Sequence, residues 1–319
     1  MNDEIEARSF ESGVYGMNVI PTEGLTKEQV FALRGIGASD AVIICGKGHL
    51  GSSRLKLWYE KREGKPSGDH DEFTRNLFRW GNWLEDDIAA CFEQDLGLKI
   101  SETQVLVAHP EYPWATALID MVTEDGQIAD SKAHTWIAAR NLVDGNPNTL
   151  PAKAHIQAAW QMWVCDKPSA RWACFDGANL KLMHFLIDRD DELIETVVEL
   201  VSRFKESVDL GIMPNEFDPE DCDYLKNRFT RVNEQAELVI EDHELIDHAR
   251  LYFEAKEARS YADDQVAVHE AALRLATGDA ALARIGPYTT KRTERSRKAS
   301  TTKASSWVEF KVIGPKEGR

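Results

Sequence analysis

Asp120-Met121-Val122-Thr123-Glu124-Asp125-Gly126-Gln127-Ile128-Ala129-Asp130-Ser131-Lys132 reads as a β-hairpin carrying two acids and a lysine. Strand-like flanks, Ala115 to Val122 and Ile128 to Ala133, enclose a turn that ends in Asp125-Gly126. Two registers are open. A three-residue loop, Glu124-Asp125-Gly126, puts Gly126 in the left-handed region, pairs Thr123 with Gln127 and sets Asp120 opposite Asp130. A two-residue type I′ turn at Asp125-Gly126 slips the pairing by one and sends Asp120 to the other face. In either case Lys132 shares a face with Asp130, because alternate strand residues point the same way. Under the first register two carboxylates meet at a site for a divalent cation, and the lysine can orient a water or offset developing negative charge. That is a constellation suited to phosphodiester cleavage.

Composition narrows the setting. The chain has 319 residues, 43% of them hydrophobic, enough for one large domain with an appendage or for two domains. No stretch approaches the uninterrupted apolar length of a membrane helix, and the acidic start, Met1-Asn2-Asp3-Glu4, lacks the order of a secretion signal. Five scattered cysteines, Cys45, Cys91, Cys165, Cys174 and Cys222, never fall in a C-x-x-C spacing, which points to reduced thiols in a cytoplasmic protein and against structural zinc. The net charge of −16 argues against indiscriminate DNA binding. The charge is uneven, however: Lys291 to Lys303 holds six Lys/Arg against the single acid Glu294.

Along the chain, residues 1–24 form an arm without sustained periodicity. Thr26 and Gln29 make a capping-box pattern, and Ser39 is placed to cap a short apolar helix, Ala41 to Cys45. Helices are expected over Arg54 to Glu63, Asn76 to Leu96, Ala152 to Val164 and Asp190 to Leu210. Strands are expected over Lys99 to Val107, over both flanks of the hairpin, and over Arg171 to Phe175 and Lys181 to Ile187. The polar connection from Asn141 to Pro151 reads as a mobile loop over the site. The order helix–β–β–β–helix–β–β–helix predicts an α/β core over residues 25–213, a mixed sheet flanked by helices. An acidic helical extension (214–285) and a basic tail with a short strand, Trp307 to Ile313 (286–319), complete the reading.

Three further features sit where a hairpin nuclease needs them: Glu85 on the long helix, Gln157 and Gln161 one turn apart, and Arg34 and Ser39 around a Gly-rich turn. The ordered set runs through Arg34 with Gly-Ala-Ser39-Asp40, Leu57-Trp58-x-Glu-Lys, Trp80-Gly81-x-x-x-Glu85, Ala115 to Asp120, Asp130-x-Lys132, Gln157 with Trp163-Val164, and Asp188-Arg189-Asp190-Asp191-Glu192. Over residues 30–212 this resembles the phage recombination exonucleases of the lambda exonuclease/YqaJ type, in the PD-(D/E)xK nuclease superfamily.

The resemblance implies the restriction-endonuclease-like fold and a set of roles. Asp120, Asp130 and the Ser131 carbonyl would ligate Mg²⁺, with Mn²⁺ able to substitute, and Glu85 would support the metal directly or through water. Lys132 would hold or activate the attacking water, and Gln157 would orient Lys132 or the substrate. Arg34 and Ser39 would receive a 5′-phosphate, with Gln161 beside them at the DNA. The implied activity is 5′→3′ digestion of linear double-stranded DNA, leaving a 3′ strand for a single-strand annealing protein. The implied assembly is a trimeric ring, and the setting the cytoplasm of a phage's or prophage's bacterial host. Two departures stand out: Ile119 replaces the family's usual proline, and Asp130 its usual glutamate. A structure- or sequence-specific endonuclease on the same core, and a catalytically silent DNA-end-binding module, are the alternative readings. Gly46 to Gly51 reads as a surface turn, and His109, His134 and His155 as satisfied polar residues.

Overall fold

The computed structural model describes residues 11–26, 29–30, 33–48, 52–66, 72–134, 139–235 and 237–293. The chain divides into two compact units, Met1–Leu225 and Lys226–Arg319.

In the first unit, β1 (Glu11–Val14) and β2 (Met17–Val19) precede α1 (Ala38–Ile44), α2 (Arg54–Glu63) and α3 (Glu72–Leu96). Three strands follow, β3 (Ile100–Ala108), β4 (Thr116–Thr123) and β5 (Ile128–His134). Then come α4 (Ala152–Cys165), β6 (Ser169–Asp176), β7 (Lys181–Asp188), α5 (Asp191–Leu210) and α6 (Pro219–Arg228). The seven strands form one sheet in sequence order. Only the β5–β6 pair is parallel, and α4 is the crossover that such a pair needs. The expected mixed α/β core is therefore present, in the expected order.

Local chemistry accounts for the element ends. The Ser53 side chain accepts from Lys56 N–H to start α2, and left-handed Gly64 stops it. Asp190 caps α5 through Leu193 N–H, and left-handed Gly211 ends it. Thr26 and Gln29 make the expected reciprocal capping bonds, at 2.8 and 3.3 Å. Two cores face opposite sides of the sheet. The larger joins α1, α2, α4 and α5 to residues such as Ala117, Ile119, Ile128 and Trp172. The smaller joins Ile88 and Phe92 of α3 to Met121, Ala129 and Ala173.

Three expectations change. The arm of residues 1–24 is not loose from residue 11 onward, since β1 and β2 form a hairpin that extends the sheet, with Val19 pairing Val107 of β3. Ser39 does not cap α1. The helix starts three residues earlier, at Ala38, with Gly37 as its cap and Asp40 accepting the Gly37 N–H. The Asn141–Pro151 connection does not hang over the hairpin. Gly145 N–H bonds His184 O, and Asp144 takes both the His184 N–H and the Lys181 ammonium, which fastens the loop to β7, two strands from β5.

In the second unit α7 (His243–Thr277) buries none of its residues, leaves apolar side chains such as Leu245, Tyr261, Val266 and Leu275 exposed, and carries i,i+4 pairs such as Arg250–Glu254 and Arg274–Glu270. A hairpin follows, β8 (Leu282–Ile285) and β9 (Tyr288–Lys291), which the sequence reading did not anticipate. The expected strand Trp307 to Ile313 and the basic run beyond residue 293 lie outside the described residues.

Gly35 tests how tightly the chain before α1 is seated. A Cβ at this position would lie 1.9 Å from Trp114 O, backbone that cannot swing aside. Gly35→Ala should lower the melting temperature by several degrees, consistent with about 1–3 kcal/mol of overpacking. Gly81→Ala, on the helix α3 with open space around it, should not.

Candidate active site

The β4–β5 turn selects between the two registers. Gly126 is left-handed (φ +78°), its N–H bonds Thr123 O at 2.8 Å, and Thr123 N–H bonds Gln127 O at 3.0 Å. The loop is thus Glu124-Asp125-Gly126. Its middle residue is gripped from both flanks: Asp125 accepts from the Thr123 hydroxyl and, at 2.8 Å, from the Gln127 amide. The Thr123 hydroxyl leads in holding the Asp125 carboxyl below its usual range. Glycine is required twice over here, because a Cβ on Gly126 would press to 3.0 Å on the Tyr15 side chain.

Met121 pairs Ala129 and Val122 pairs Ile128, and continuing that register sets Asp120 level with Asp130. The ladder ends before it reaches them. There Ser131 turns its N–H (2.9 Å) and hydroxyl (3.2 Å) to Asp120 Oδ2. β4 also twists at this point. Ile119 faces the larger core and Met121 the smaller, although residues two apart on a regular strand share a face.

Asp130 is 1% exposed, so its carboxylate must be satisfied by protein groups. Oδ1 takes the Lys132 ammonium, and Oδ2 takes the amides of Gln157 (2.7 Å) and Gln161 (2.9 Å) from successive turns of α4. A third bond fixes α4 across the sheet: Trp160 donates its indole N–H to Thr116 O at 2.9 Å. Lys132 Nζ lies 3.9 Å from Asp120 Oδ2 and 5.3 Å from the centre of the Trp172 ring. One expectation is corrected here: Gln161, read as a DNA contact, is 2% exposed and committed to Asp130. Gln157, expected to orient Lys132 or the substrate, donates to the Asp130 oxygen opposite the one that Lys132 binds.

Glu85 reaches the same neighbourhood from α3. Burial raises its pKa most, followed by the charge of Asp120, with Lys132 opposing. Burial and then Asp120 push Asp130 up to about 6, again against Lys132. For the lysine, burial works to lower the pKa, but Asp130 and Asp120 outweigh it and raise it. Among the described residues no three His, Cys, Asp or Glu side chains converge as a ready-made metal cage. The donor set still suits a hard cation, because carboxylate oxygens crowd one another with a single ammonium between the two hairpin acids.

Gln104 was missed by the sequence reading. Its amide donates to Glu85 Oε2 at 3.1 Å, and no local motif marked it.

Arg34 and Ser39 make no direct bond to the acids. They flank a turn stitched to the start of β4, where Ile36 N–H bonds Trp114 O and Thr116 N–H bonds Ile36 O. Asp120 lies four residues further on, about 13 Å along the strand. Arg34 is half-buried and Ser39 exposed. The turn is clamped by Lys61, whose ammonium meets Asp40 Oδ2 and Gly35 O, each at 2.6 Å. Lys61 stood in the Leu57-Trp58-x-Glu-Lys motif, but its partners are set only by tertiary packing.

The three histidines behave as the bland reading had it where they are described. His109 accepts the N–H groups of Glu111 and Tyr112, stacks on Trp163 at 4.2 Å, and has its pKa lowered by burial. His155 meets Pro147 O at 3.1 Å. The side chain of His134, like residues 49–51 of the Gly46–Gly51 turn, lies outside the described residues.

Residues 31–168, which contain every site residue from Arg34 to Gln161, match the family model of the YqaJ-like viral recombinase domain. The uncharacterised protein YqaJ of Bacillus subtilis (strain 168) is 28% identical over 262 residues, which is 80% of this chain and 79% of that protein. Among solved structures, an alkaline exonuclease from Laribacter hongkongensis covers 63% of this chain and 97% of its own, at 19% identity and a TM-score of 0.47. A phage-related exonuclease from Haemophilus somnus 129PT covers 58% and 93%, at 19% identity and a TM-score of 0.40. The match over residues 31–168 agrees with the resemblance to the lambda exonuclease/YqaJ type read from the sequence.

The raised Asp130 pKa has a measurable sign. Folded Asp130 holds its proton up to about pH 6, above an unfolded carboxylate near 3.9, so proton uptake favours the folded state. The stabilisation is complete below the unfolded value and is lost as pH rises through about 6. In chelator, the melting temperature should therefore gain a few degrees from this residue between pH 7 and pH 5. Asp130→Asn should flatten that portion of the slope.

Proposed function

We propose that this YqaJ-like domain is a Mg²⁺-dependent exonuclease that digests linear double-stranded DNA from 5′ to 3′. The observation that carries the reading is the pairing of Asp120, Asp130 and Lys132 on adjacent strands, buttressed by two α4 glutamines. The acids fit a hard divalent cation: burial first, and then the charge of Asp120, raises both Asp130 and Glu85. Asp120, Asp130 and the Ser131 carbonyl would hold Mg²⁺ or Mn²⁺, with Glu85 contributing directly or through water. Asp130 is one methylene shorter than the family's usual glutamate, which favours contact through water or a cation closer to the backbone. Bound there, the cation supplies Lewis-acid polarisation of the phosphate.

The protein's own groups supply the rest. Lys132 orients the attacking water and offsets the charge that builds on the phosphate oxygens. Gln157 and Gln161 keep the Asp130 carboxylate aimed so that Lys132 stays on its other oxygen. Arg34 and Ser39, on a turn that Lys61 and Asp40 make rigid, receive the 5′-phosphate of the end being degraded. The product, a 3′ single strand, suits a single-strand annealing protein acting in phage-type homologous recombination in a bacterial host's cytoplasm. A homotrimeric ring around the duplex would reconcile the net charge of −16 with DNA binding, through a basic lumen and an acidic exterior.

Linear duplexes labelled at the 5′ or 3′ end, with closed circular DNA as control, test the activity and its direction together. Early release of the 5′ label with the circle intact supports the proposal. Cleavage of the circle identifies an endonuclease, and unchanged DNA in Mg²⁺ and Mn²⁺ a binding module. Lys132→Ala should slow cleavage at least a hundredfold, and a wild-type rate would remove the lysine from the mechanism. Arg34→Ala should slow digestion of 5′-phosphorylated ends by about tenfold or more while sparing 5′-hydroxyl ends; equal loss on both contradicts end recognition.

A further inference from the structure

A strained residue lies level with Asp120 on the neighbouring strand. The pairs Thr103–Met121 and Val105–Ile119 set Gln104 across from Asp120. Gln104 has φ +54°, a left-handed conformation in mid-strand that a residue with a Cβ adopts at a cost. Core packing does not enforce it. Residues 101–104 are exposed, and burial along β3 begins only at Val105. What the conformation does achieve is one bond. The Gln104 side chain makes a single hydrogen bond among the described residues, from Nε2 to Glu85 Oε2 on α3, 19 positions away. Glu85 Oε1 is left without a hydrogen bond among those residues, and the carboxylate feels both Asp120 and Lys132. Backbone strain kept on an exposed strand, and released into one contact with a site carboxylate, is the pattern of a group held ready for function.

We propose that Gln104 is a positioning residue: by binding one oxygen of Glu85 it presents the other to the cation site shared with Asp120 and Asp130. This rests on the metal-dependent nuclease reading and adds to it a residue from a third strand, outside both the hairpin and α4. Such outer partners typically change metal affinity by about tenfold or more when removed.

Glycine separates a positioning role from a merely structural one, because it accepts the left-handed backbone while deleting the amide. For Gln104→Gly the melting temperature in chelator should hold or rise. Mn²⁺ binding without DNA, followed by calorimetry, should weaken about tenfold, and cleavage should need correspondingly more metal. Because Gln104 acts through Glu85, adding Gln104→Gly to Glu85→Gln should weaken Mn²⁺ binding no further. Wild-type Mn²⁺ affinity in Gln104→Gly, or losses that add across the two positions, overturns the inference and leaves the nuclease reading intact. A wild-type protein that neither binds Mn²⁺ nor cuts DNA overturns that reading itself.

Discussion

A carboxylate almost wholly buried among protein groups organises this domain. Asp130 sits between three donors, the ammonium of Lys132 two residues on and the amides of Gln157 and Gln161 one turn apart. An acid so placed is tolerated only while those partners stay, and they tie three elements to one another: the hairpin, the crossover helix and, through Trp160 and Thr116, the start of β4. The single parallel pair, β5 with β6, follows from the same arrangement. A helix that crosses the sheet to reach Asp130 must return the chain alongside β5 in the same direction.

Local irregularities gather at the same place. The β4–β5 ladder stops short of the acids, β4 changes the core it faces on either side of Asp120, and Gln104 across from it is left-handed. A regular sheet would close main-chain bonds between the strands and leave Ser131 N–H no occasion to turn to Asp120. Ile119 keeps its pair with Val105 in the β3–β4 ladder, which runs on through Met121 and Val122. Pairing of β4 with β5 at Met121 and Val122, and its end before Asp120 and Asp130, are what let two acids and a lysine share one small volume. Burial first, and then the charge of Asp120, keeps Asp130 and Glu85 readier to take a proton than isolated acids.

The Gly-rich turn before α1 shows a second use of rigidity. Gly35 packs against Trp114 O with no room for a Cβ, Ile36 bridges Ala115, and Lys61 with Asp40 closes the turn from behind. Arg34 is thus carried on backbone fixed to the strand that also bears Asp120.

Periodicity and end signals were sufficient for α2, α4, α5 and strands β3 to β7, though not for the β1–β2 and β8–β9 hairpins or the start of α1, because apolar spacing and capping residues act within a few neighbours. α2 ends at Glu63 as read, and α5 begins after Asp190, its cap. The hairpin's two carboxylates and lysine were likewise legible, as was the helix bearing Gln157 and Gln161. Long-range partners were not. Nothing local distinguished a three-residue loop from a two-residue turn until Thr123 paired with Gln127, nor showed that Gln161 points inward to Asp130 rather than outward to DNA. Gln104 and Glu85 meet across 19 residues, and Lys61 meets Gly35 across 26, contacts that exist only once helix and sheet have packed. Side-chain chemistry is written residue by residue, but which groups share a volume is decided by the packing of distant segments.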